Sequence, residues 1–161
     1  MGLVLNDEQR MLRDAAHEFL KEQSPISALR SLRDSKDDSG FSRELWGKLV
    51  ELGWTGMTLP ERFGGSEFGF GGLAVAFEET GRTLTASPLL STIVLGGGLI
   101  NRLGSDPLRN ELLPGLIGGK QFLALALDES PRHQPTQIQT EGRRIDNEWV
   151  LNGRKTFVLD G

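Results

Sequence analysis

The segment 88–103 constrains the fold of this chain more than any other feature. Apolar side chains lie nearly all round it, so as a helix it has to be surrounded by other helices. These apolar residues are Leu89, Leu90, Ile93, Val94, Leu95, Leu99, Ile100 and Leu103. The glycines at 96–98 interrupt the segment, which is too short to span a bilayer. We predict a helix at the centre of a bundle, capped by Ser87 and with Pro88 at its first position.

Four more helices are predicted around this central one, because apolar residues recur at helical spacing after capping residues. Asn6 and Gln9 form a capping-box pair at the start of the first helix, and Ser42 caps the second. The predicted limits are 6–22, 42–53, 72–81, and a start at Asp106-Pro107 for the last. The polar residues 31–40 are expected to form a mobile loop or a ragged helix end, and residues 55–72 a glycine-rich loop.

The pattern changes after residue 118. Residues 122–127 form a short apolar run typical of a buried strand. Residues 137–159 predict β-hairpins, with turns at 145–148 and at Asn152-Gly153. Asp160-Gly161 is a turn dipeptide that would introduce a further strand. We therefore predict a mainly α fold with two domains. Residues 1–118 would form an orthogonal bundle of about five helices, and residues 119–161 the first strands of an incomplete β-sandwich or barrel.

Composition excludes several classes of function. The net charge is −4, from 18 Lys and Arg against 22 Asp and Glu, and no basic face is visible, so nucleic acid is not an expected partner. Cysteine is absent, which removes disulfides, thiolate catalysis and cysteine-ligated zinc. The polar residues 6–13 stand where a signal peptide would be apolar. We predict a cytoplasmic protein without a membrane span.

Five motifs, in order along the chain, resemble the acyl-CoA dehydrogenase family. They lie at 59–65 (Leu-Pro-Glu-Arg-Phe-Gly-Gly), 77–82, 111–116, 124–130 and 150–157. The resemblance implies a fold of three parts, of which this chain would hold the helical domain and the start of the β-domain. It also implies that FAD is the cofactor and that the substrate is an acyl-CoA thioester, dehydrogenated at Cα and Cβ in fatty-acid or steroid side-chain β-oxidation. The implied electron acceptor is electron-transfer flavoprotein or a similar protein, and the implied assembly is a homo- or hetero-oligomer.

The resemblance also assigns roles to individual positions. The family's catalytic glutamate lies beyond residue 161, so no catalytic residue is assigned and the chain by itself is predicted to be inactive. The positions matched to the flavin are Leu125, Leu127, Asp128, Phe157 and Leu159. The positions matched to the acyl chain are Pro88, Ser91 and Leu95, and the alternative for these three is a plain role in the core.

Three departures from the family pattern concern the flavin. Asp128 stands where the family has a hydroxyl donor, and an ionised carboxylate only accepts hydrogen bonds. Residues 133–135, His-Gln-Pro, replace a Gly-Ser-Asp triplet, and Leu159 replaces a threonine. Three hypotheses therefore stay open: a flavoenzyme subunit, a non-catalytic subunit of a heteromeric acyl-CoA dehydrogenase that has lost FAD, and a stand-alone helical binding module.

Other candidate sites have plainer interpretations. The glycines of 64–72 follow no strand, so they are not a dinucleotide fingerprint. Glu78 and Glu79 are adjacent on a helix and are expected to form a solvated face. His17 and His133 each stand alone, so no metal site is predicted. The remaining groups are interpreted as anchors or exposed charges: Trp46, Trp54 and Trp149 as core or interface anchors, and Arg143, Arg144, Arg154 and Lys155 as hairpin charges or contacts to CoA phosphates.

Overall fold

The computed structural model describes residues 4–36 and 38–161. The elements are α1 (Asp7–Gln23), α2 (Ile26–Ser35), α3 (Arg43–Glu51), α4 (Phe70–Thr83), a π-helix (Leu89–Gly97), α5 (Gly98–Leu103), α6 (Asp106–Ile117), β1 (Glu141–Ile145) and β2 (Glu148–Asn152). Two short 3₁₀ turns, Trp54–Gly56 and Glu61–Phe63, lie between α3 and α4. The predicted succession of helices followed by strands is confirmed. None of the helices in these two ranges is long and apolar enough to cross a membrane.

Helix α1 begins with the predicted capping box. The Asn6 side chain accepts from the Gln9 backbone N–H at 2.8 Å, and the Gln9 side chain accepts from the Asn6 N–H at 3.1 Å. Both bonds satisfy amides that have no partner inside the helix. Ala16 and Leu20 are buried, and this apolar face packs on α4.

Of the two alternatives predicted for 31–40, a mobile loop or a ragged helix end, the structure has a helix end: residues 31–35 are the last part of helix α2, which spans residues 26–35. None of its residues is fully buried, but Leu29 and Leu32 are half-buried and lie with Ile26 at helical spacing. The helix ends at Lys36, which adopts a left-handed conformation with φ of 53°. Residue 37 lies outside the described residues. This short apolar stripe is the periodic signal of the helix.

Helix α3 has the predicted Ser42 cap, whose hydroxyl accepts from Leu45 N–H at 3.2 Å. It buries Leu45, Trp46 and Leu49. The chain leaves the helix through Gly53, whose φ of +75° favours glycine. The predicted second helix is confirmed.

The glycine-rich loop after α3 is held by backbone hydrogen bonds. Gly65 N–H donates to Pro60 C=O at 3.1 Å, and Ser66 N–H donates to Gly56 C=O at 3.0 Å. A Cβ on Gly65 would lie 2.5 Å from the carbonyl carbon of Leu59 and 2.8 Å from the Gly56 oxygen. Only glycine allows these backbones to approach so closely.

The central segment is a π-helix followed by the short α5. Gly98 N–H donates to Ile93 C=O, five residues earlier. The Ser87 cap was predicted wrongly: Pro88 occupies the cap position, and no side chain caps this helix. Leu89 and Ile93 are fully buried, whereas Leu99 and Leu103 are exposed. One face of this segment is therefore buried in the core, and the other face lines a groove.

Helix α6 begins one residue earlier than predicted. The Ser105 hydroxyl, not the Asp106 side chain, accepts from Leu108 N–H at 3.4 Å, and Asp106 and Pro107 are already helical. Proline is tolerated in the first turn because it has no N–H to leave unpaired. Leu113 and Leu116 complete the core.

Glu79 on α4 corrects the prediction of a solvated carboxylate pair. Its side chain is 3% exposed, and it is hydrogen-bonded to His17 on α1 at 2.9 Å and to Arg82 at 3.1 Å. Glu78, by contrast, is solvated and pairs with the other side of Arg82 at 2.7 Å. A buried carboxylate needs such partners, and the packing of α1 on α4 brings His17 to it across 62 residues of sequence.

The β region is less complete than predicted. Residues 122–127 pair with no strand among the described residues, and Phe122 and Leu127 remain partly exposed. Strands β1 and β2 form one antiparallel hairpin, with Ile145 opposite Glu148, and the predicted turn between them is confirmed. No second hairpin forms at Asn152-Gly153, because Thr156 N–H donates to Asp128 C=O at 2.8 Å instead of pairing with β2.

The turn at Asp160-Gly161 is confirmed. Gly161 N–H donates to Val158 C=O at 3.3 Å, and Asp160 has a φ of 54°. All ten residues of the hairpin are exposed, which includes Trp149 and Leu151 at 68% and 74%. Both faces of this two-stranded sheet therefore lie open to solvent.

Candidate functional site

An apolar groove of about 450 Å³ lies beside the π-helix and α5. It brings together one residue from each group of predicted site positions. Leu95 belongs to the positions matched to the acyl chain (the acyl set), and Leu125 to those matched to the flavin (the flavin set). Its other apolar lining residues are Phe70, Val94, Leu99 and Leu103, and Arg102 and Asn101 are its main polar members. We call this the apolar groove. An exposed apolar groove of this size is typical of a ligand-binding surface.

A second, more polar cavity of about 570 Å³ is lined by Pro88, one of the two other positions matched to the acyl chain. Thr92, Leu123 and Asp160 also line it. Ser91, next to this cavity, is fully buried, and its hydroxyl is hydrogen-bonded to Asp160 at 2.6 Å and to Pro88 C=O at 3.1 Å. The structure therefore places Pro88 and Ser91 in surroundings different from those of Leu95.

The segment 119–125 is fixed to the helical bundle on the side of α3. Trp46 Nε1–H donates to Gly119 C=O at 3.0 Å. The Phe122 ring lies 5.4 Å from the Trp46 ring and 5.6 Å from that of Phe41, and the Arg43 guanidinium lies over Phe122 at 5.0 Å. These contacts hold the chain as it leaves α6 for Leu125.

Asp128 is engaged by the loop that follows it. One of its carboxylate oxygens accepts from Gln134 N–H at 3.1 Å, and the other is hydrogen-bonded to His133 at 3.0 Å. The bond to His133, with that from the Gln134 amide, lowers the pKa of Asp128 below its ordinary value. The two sequence departures at 128 and 133–135 are thus partners of each other.

Glu129 and Lys155 connect this loop to the last segment of the chain. Lys155 Nζ lies 2.7 Å from the Glu129 carboxylate, which also accepts from the backbone N–H of Gln139 at 2.5 Å and of Thr140 at 3.1 Å. The Lys155 ammonium and these amides lower the pKa of Glu129 to about 2. Lys155 also donates to Leu127 C=O at 3.3 Å.

We expect Glu129 to make the stability of this region depend on acid pH. Since its folded pKa is about 2 and its ordinary value is 4.5, the stabilisation is complete above pH 4.5 and is lost as the pH falls from there toward 2. In Lys155→Met the pKa of Glu129 should rise toward 4.5, so this acid-induced loss should be smaller. NMR titration of the Glu129 carboxyl carbon and urea unfolding at pH 5 and 2.5 measure both effects.

The matched control is Lys21→Met, because Lys21 makes no ion pair among the described residues. This variant should leave the pKa of Glu129 at about 2. A Lys155→Met protein in which Glu129 still titrates near pH 2 would contradict the assignment of the shift to Lys155.

The remaining flavin-set residues follow Lys155. Thr156 N–H donates to Asp128 C=O, and its hydroxyl donates to Ser130 C=O at 3.1 Å. These bonds bring the stretch before Phe157 next to Asp128. Phe157 itself is 80% exposed with a φ of 51°, and Leu159 is 44% exposed.

The sequence matches the profile of the acyl-CoA dehydrogenase N-terminal domain over residues 6–120. The chain belongs to the acyl-CoA dehydrogenase family. FadE12, an acyl-CoA dehydrogenase of Mycobacterium tuberculosis, is 29% identical to it over 98% of this chain and 40% of its own length. The chain thus spans about two-fifths of the length of this curated relative.

Two solved structures are similar to nearly all of this chain. A variant of the Tcur3481-Tcur3483 steroid ACAD matches with a TM-score of 0.82 and 29% identity, over 96% of this chain and 42% of its own. The ChsE4-ChsE5 complex from Mycobacterium tuberculosis matches with a TM-score of 0.82 and 25% identity, over 98% and 42%. The helical bundle and the first strands follow the arrangement of these structures.

The residues of this acyl-CoA dehydrogenase chain fit only part of what a flavin requires. The exposed Phe157 ring offers an aromatic face. The polar positions do not fit, because the Asp128 carboxylate is occupied by His133 and Gln134, and Leu159 has no hydroxyl to donate.

Several residues of this site escaped the sequence analysis. Thr92 and Gly96, four apart in an apolar segment, were a usable signal, because a polar and a small residue there suggest a close contact. Glu129 and Lys155 gave no signal, since only folding brings them together. No cluster of three or more His, Asp or Glu within 4–36 and 38–161 is placed to hold a metal ion.

Proposed function

We propose that this chain is the N-terminal portion of an acyl-CoA dehydrogenase, whose full-length form oxidises the Cα–Cβ bond of an acyl-CoA thioester. The observation that carries the proposal is the apolar groove, in which Leu95 of the π-helix and Leu125 of the extended segment share one lining. The family resemblance implies a catalytic glutamate beyond residue 161, so we expect the chain alone to be inactive.

The groove suits the acyl part of such a substrate. Its lining is mainly aliphatic, and Phe70, Leu99 and Leu103 are 61%, 42% and 78% exposed. Burial of apolar side chains by an acyl chain releases about 25 cal/mol per Å², so a hydrocarbon gains from entering it. The proposal extends to a cytoplasmic location, to electron-transfer flavoprotein or a similar acceptor, to an oligomer, and to the oxidation of fatty-acid or steroid side chains.

The test uses the protein encoded by the longest reading frame that contains this chain. It should purify yellow, and the flavin absorbance should bleach when an acyl-CoA is added. Leu95→Glu should raise KM for that acyl-CoA at least about ten-fold, because a charge in an apolar site is costly. Met11→Glu, at an exposed position of α1, is the matched control and should leave KM unchanged. A yellow enzyme with equal KM in both variants would refute the role of the groove.

The hydrogen bonds from His133 and Gln134 that occupy the Asp128 carboxylate favour a second candidate, a non-catalytic subunit without FAD. The ChsE4-ChsE5 structure is itself a complex of two different chains. This candidate predicts a colourless protein that takes up no added FAD and forms a stable complex with a flavin-containing homologue. A protein that is yellow on its own would exclude it. A reading frame longer than 161 codons would exclude the stand-alone binding module.

A further inference from the structure

Thr92 of the π-helix forms two hydrogen bonds to the backbone of Leu123, and we call this pair of bonds the clamp. The Thr92 side chain is fully buried. Its hydroxyl donates to Leu123 C=O at 3.2 Å and accepts from Leu123 N–H at 3.2 Å. A hydroxyl has one donor and two acceptor sites, so a single side chain satisfies both polar groups of one residue in a segment that has no strand partner.

Gly96 lets Leu123 approach close enough for this clamp. A Cβ on Gly96 would lie 2.5 Å from Leu123 Cβ and 3.1 Å from Leu123 Cδ1. Thr92 and Gly96 are four residues apart, so they face the same side of the helix. The backbone of Leu123 is therefore hydrogen-bonded to Thr92, and its side chain packs against the backbone of Gly96.

The position of Leu123 matters for the residues that follow it. Upstream, Trp46 and Phe122 fix the segment to α3. Downstream, the next hydrogen bonds to its backbone come from Lys155 to Leu127 C=O and from Thr156 to Asp128 C=O, and neither donor belongs to the helical bundle. Leu123 is thus the last residue hydrogen-bonded to the helical bundle before Leu125, which lines the apolar groove. Leu123 and Leu125 are half-buried and Ala124 between them is exposed, which is the alternation of an extended chain.

We propose that Thr92 is a positioning residue, whose clamp on Leu123 sets how Leu125 lines the apolar groove. The link to an acyl-CoA substrate rests on the proposed function. The positioning itself is a property of this chain without flavin or substrate. Thr92 touches no reacting group, so it acts only through the backbone that it holds.

The experiment compares Thr92→Val and Thr92→Ser in the 161-residue chain by NMR. Valine has the shape of threonine without the hydroxyl, and serine retains the hydroxyl. In Thr92→Val the Leu123 amide should exchange about ten-fold faster, since one lost hydrogen bond changes an equilibrium by about that factor. The Leu125 methyl resonances should shift in the same variant. Thr92→Ser should restore both readouts to nearly wild-type values.

A purely structural role would not give this pattern, because general loosening would speed exchange across the core and serine would not restore it. If Thr92→Val does not fold, amide exchange in the wild-type chain still tests the clamp. The Leu123 amide should exchange more slowly than the neighbouring Ala124 amide, and equal exchange rates would overturn the clamp. Unchanged Leu125 methyls in a folded Thr92→Val protein would overturn the positioning role. A colourless, inactive longer protein would refute the proposed function instead, without any Thr92 variant.

Discussion

Gly65→Ala should destabilise the protein by about 4 kcal/mol or more, which is at the upper end for a single substitution. The added Cβ would overlap the Leu59 carbonyl oxygen. It would also lie 2.5 Å from the Leu59 carbonyl carbon and 2.8 Å from the Gly56 carbonyl oxygen. All three atoms belong to the backbone, so no side-chain rotation relieves the overlap. The loop would have to open, and with it the hydrogen bonds from Gly65 to Pro60 and from Ser66 to Gly56.

Gly47→Ala is the matched control for this prediction. Gly47 lies inside α3, and a Cβ there meets nothing within 4 Å. Alanine should therefore stabilise the helix by up to about 1 kcal/mol. Urea unfolding, followed by far-UV circular dichroism, measures both variants. A Gly65→Ala protein as stable as the wild type would show that the loop is not packed as described.

Trp46→Ala should cost about 3–5 kcal/mol, the usual range for removing a buried aromatic side chain. The Trp46 side chain lies in the core with 4% of its surface exposed, contacts Phe41 and Phe122, and donates to Gly119 C=O at 3.0 Å. The substitution leaves a cavity and removes the Gly119 partner. We also expect segment 119–125 to loosen, since two of its anchors involve this ring.

Trp149→Ala offers a control with the same change of side chain. Trp149 is 68% exposed on β2, so its loss should alter the free energy of unfolding by no more than about 0.5 kcal/mol. The midpoints of urea unfolding compare the two variants, and amide exchange of residues 119–125 tests the loosening. Equal stability of the two alanine variants would contradict the assignment of Trp46 to the core.

Local chemistry explains which elements were predictable. The Asn6–Gln9 capping box, the Ser42 cap and the Asp146-Asn147 turn each depend on residues at most three apart. Their hydrogen bonds form from neighbouring groups whatever surrounds them. The order of motifs such as 59–65 likewise identified the family, because it is a property of the sequence itself.

Elements that depend on distant partners were missed. The burial of Glu79 requires His17, 62 residues away. The apolar run 122–127 has the composition of a strand, but the described residues supply no neighbouring strand to pair with it. Its extended form depends on Thr92 and Trp46, which belong to other helices.

The candidate site divides in the same way. The sequence by itself determined the helix-then-strand order, the apolar character of segment 88–103 and the membership of the family, since these reside in local pattern and composition. Only the tertiary structure decided that Leu95 and Leu125 share a groove while Pro88 and Ser91 lie elsewhere, and that Asp128 is occupied by His133. The physical reason is that burial and hydrogen-bond partners are properties of pairs of residues far apart in the chain, which meet only when the helices and the extended segment pack together.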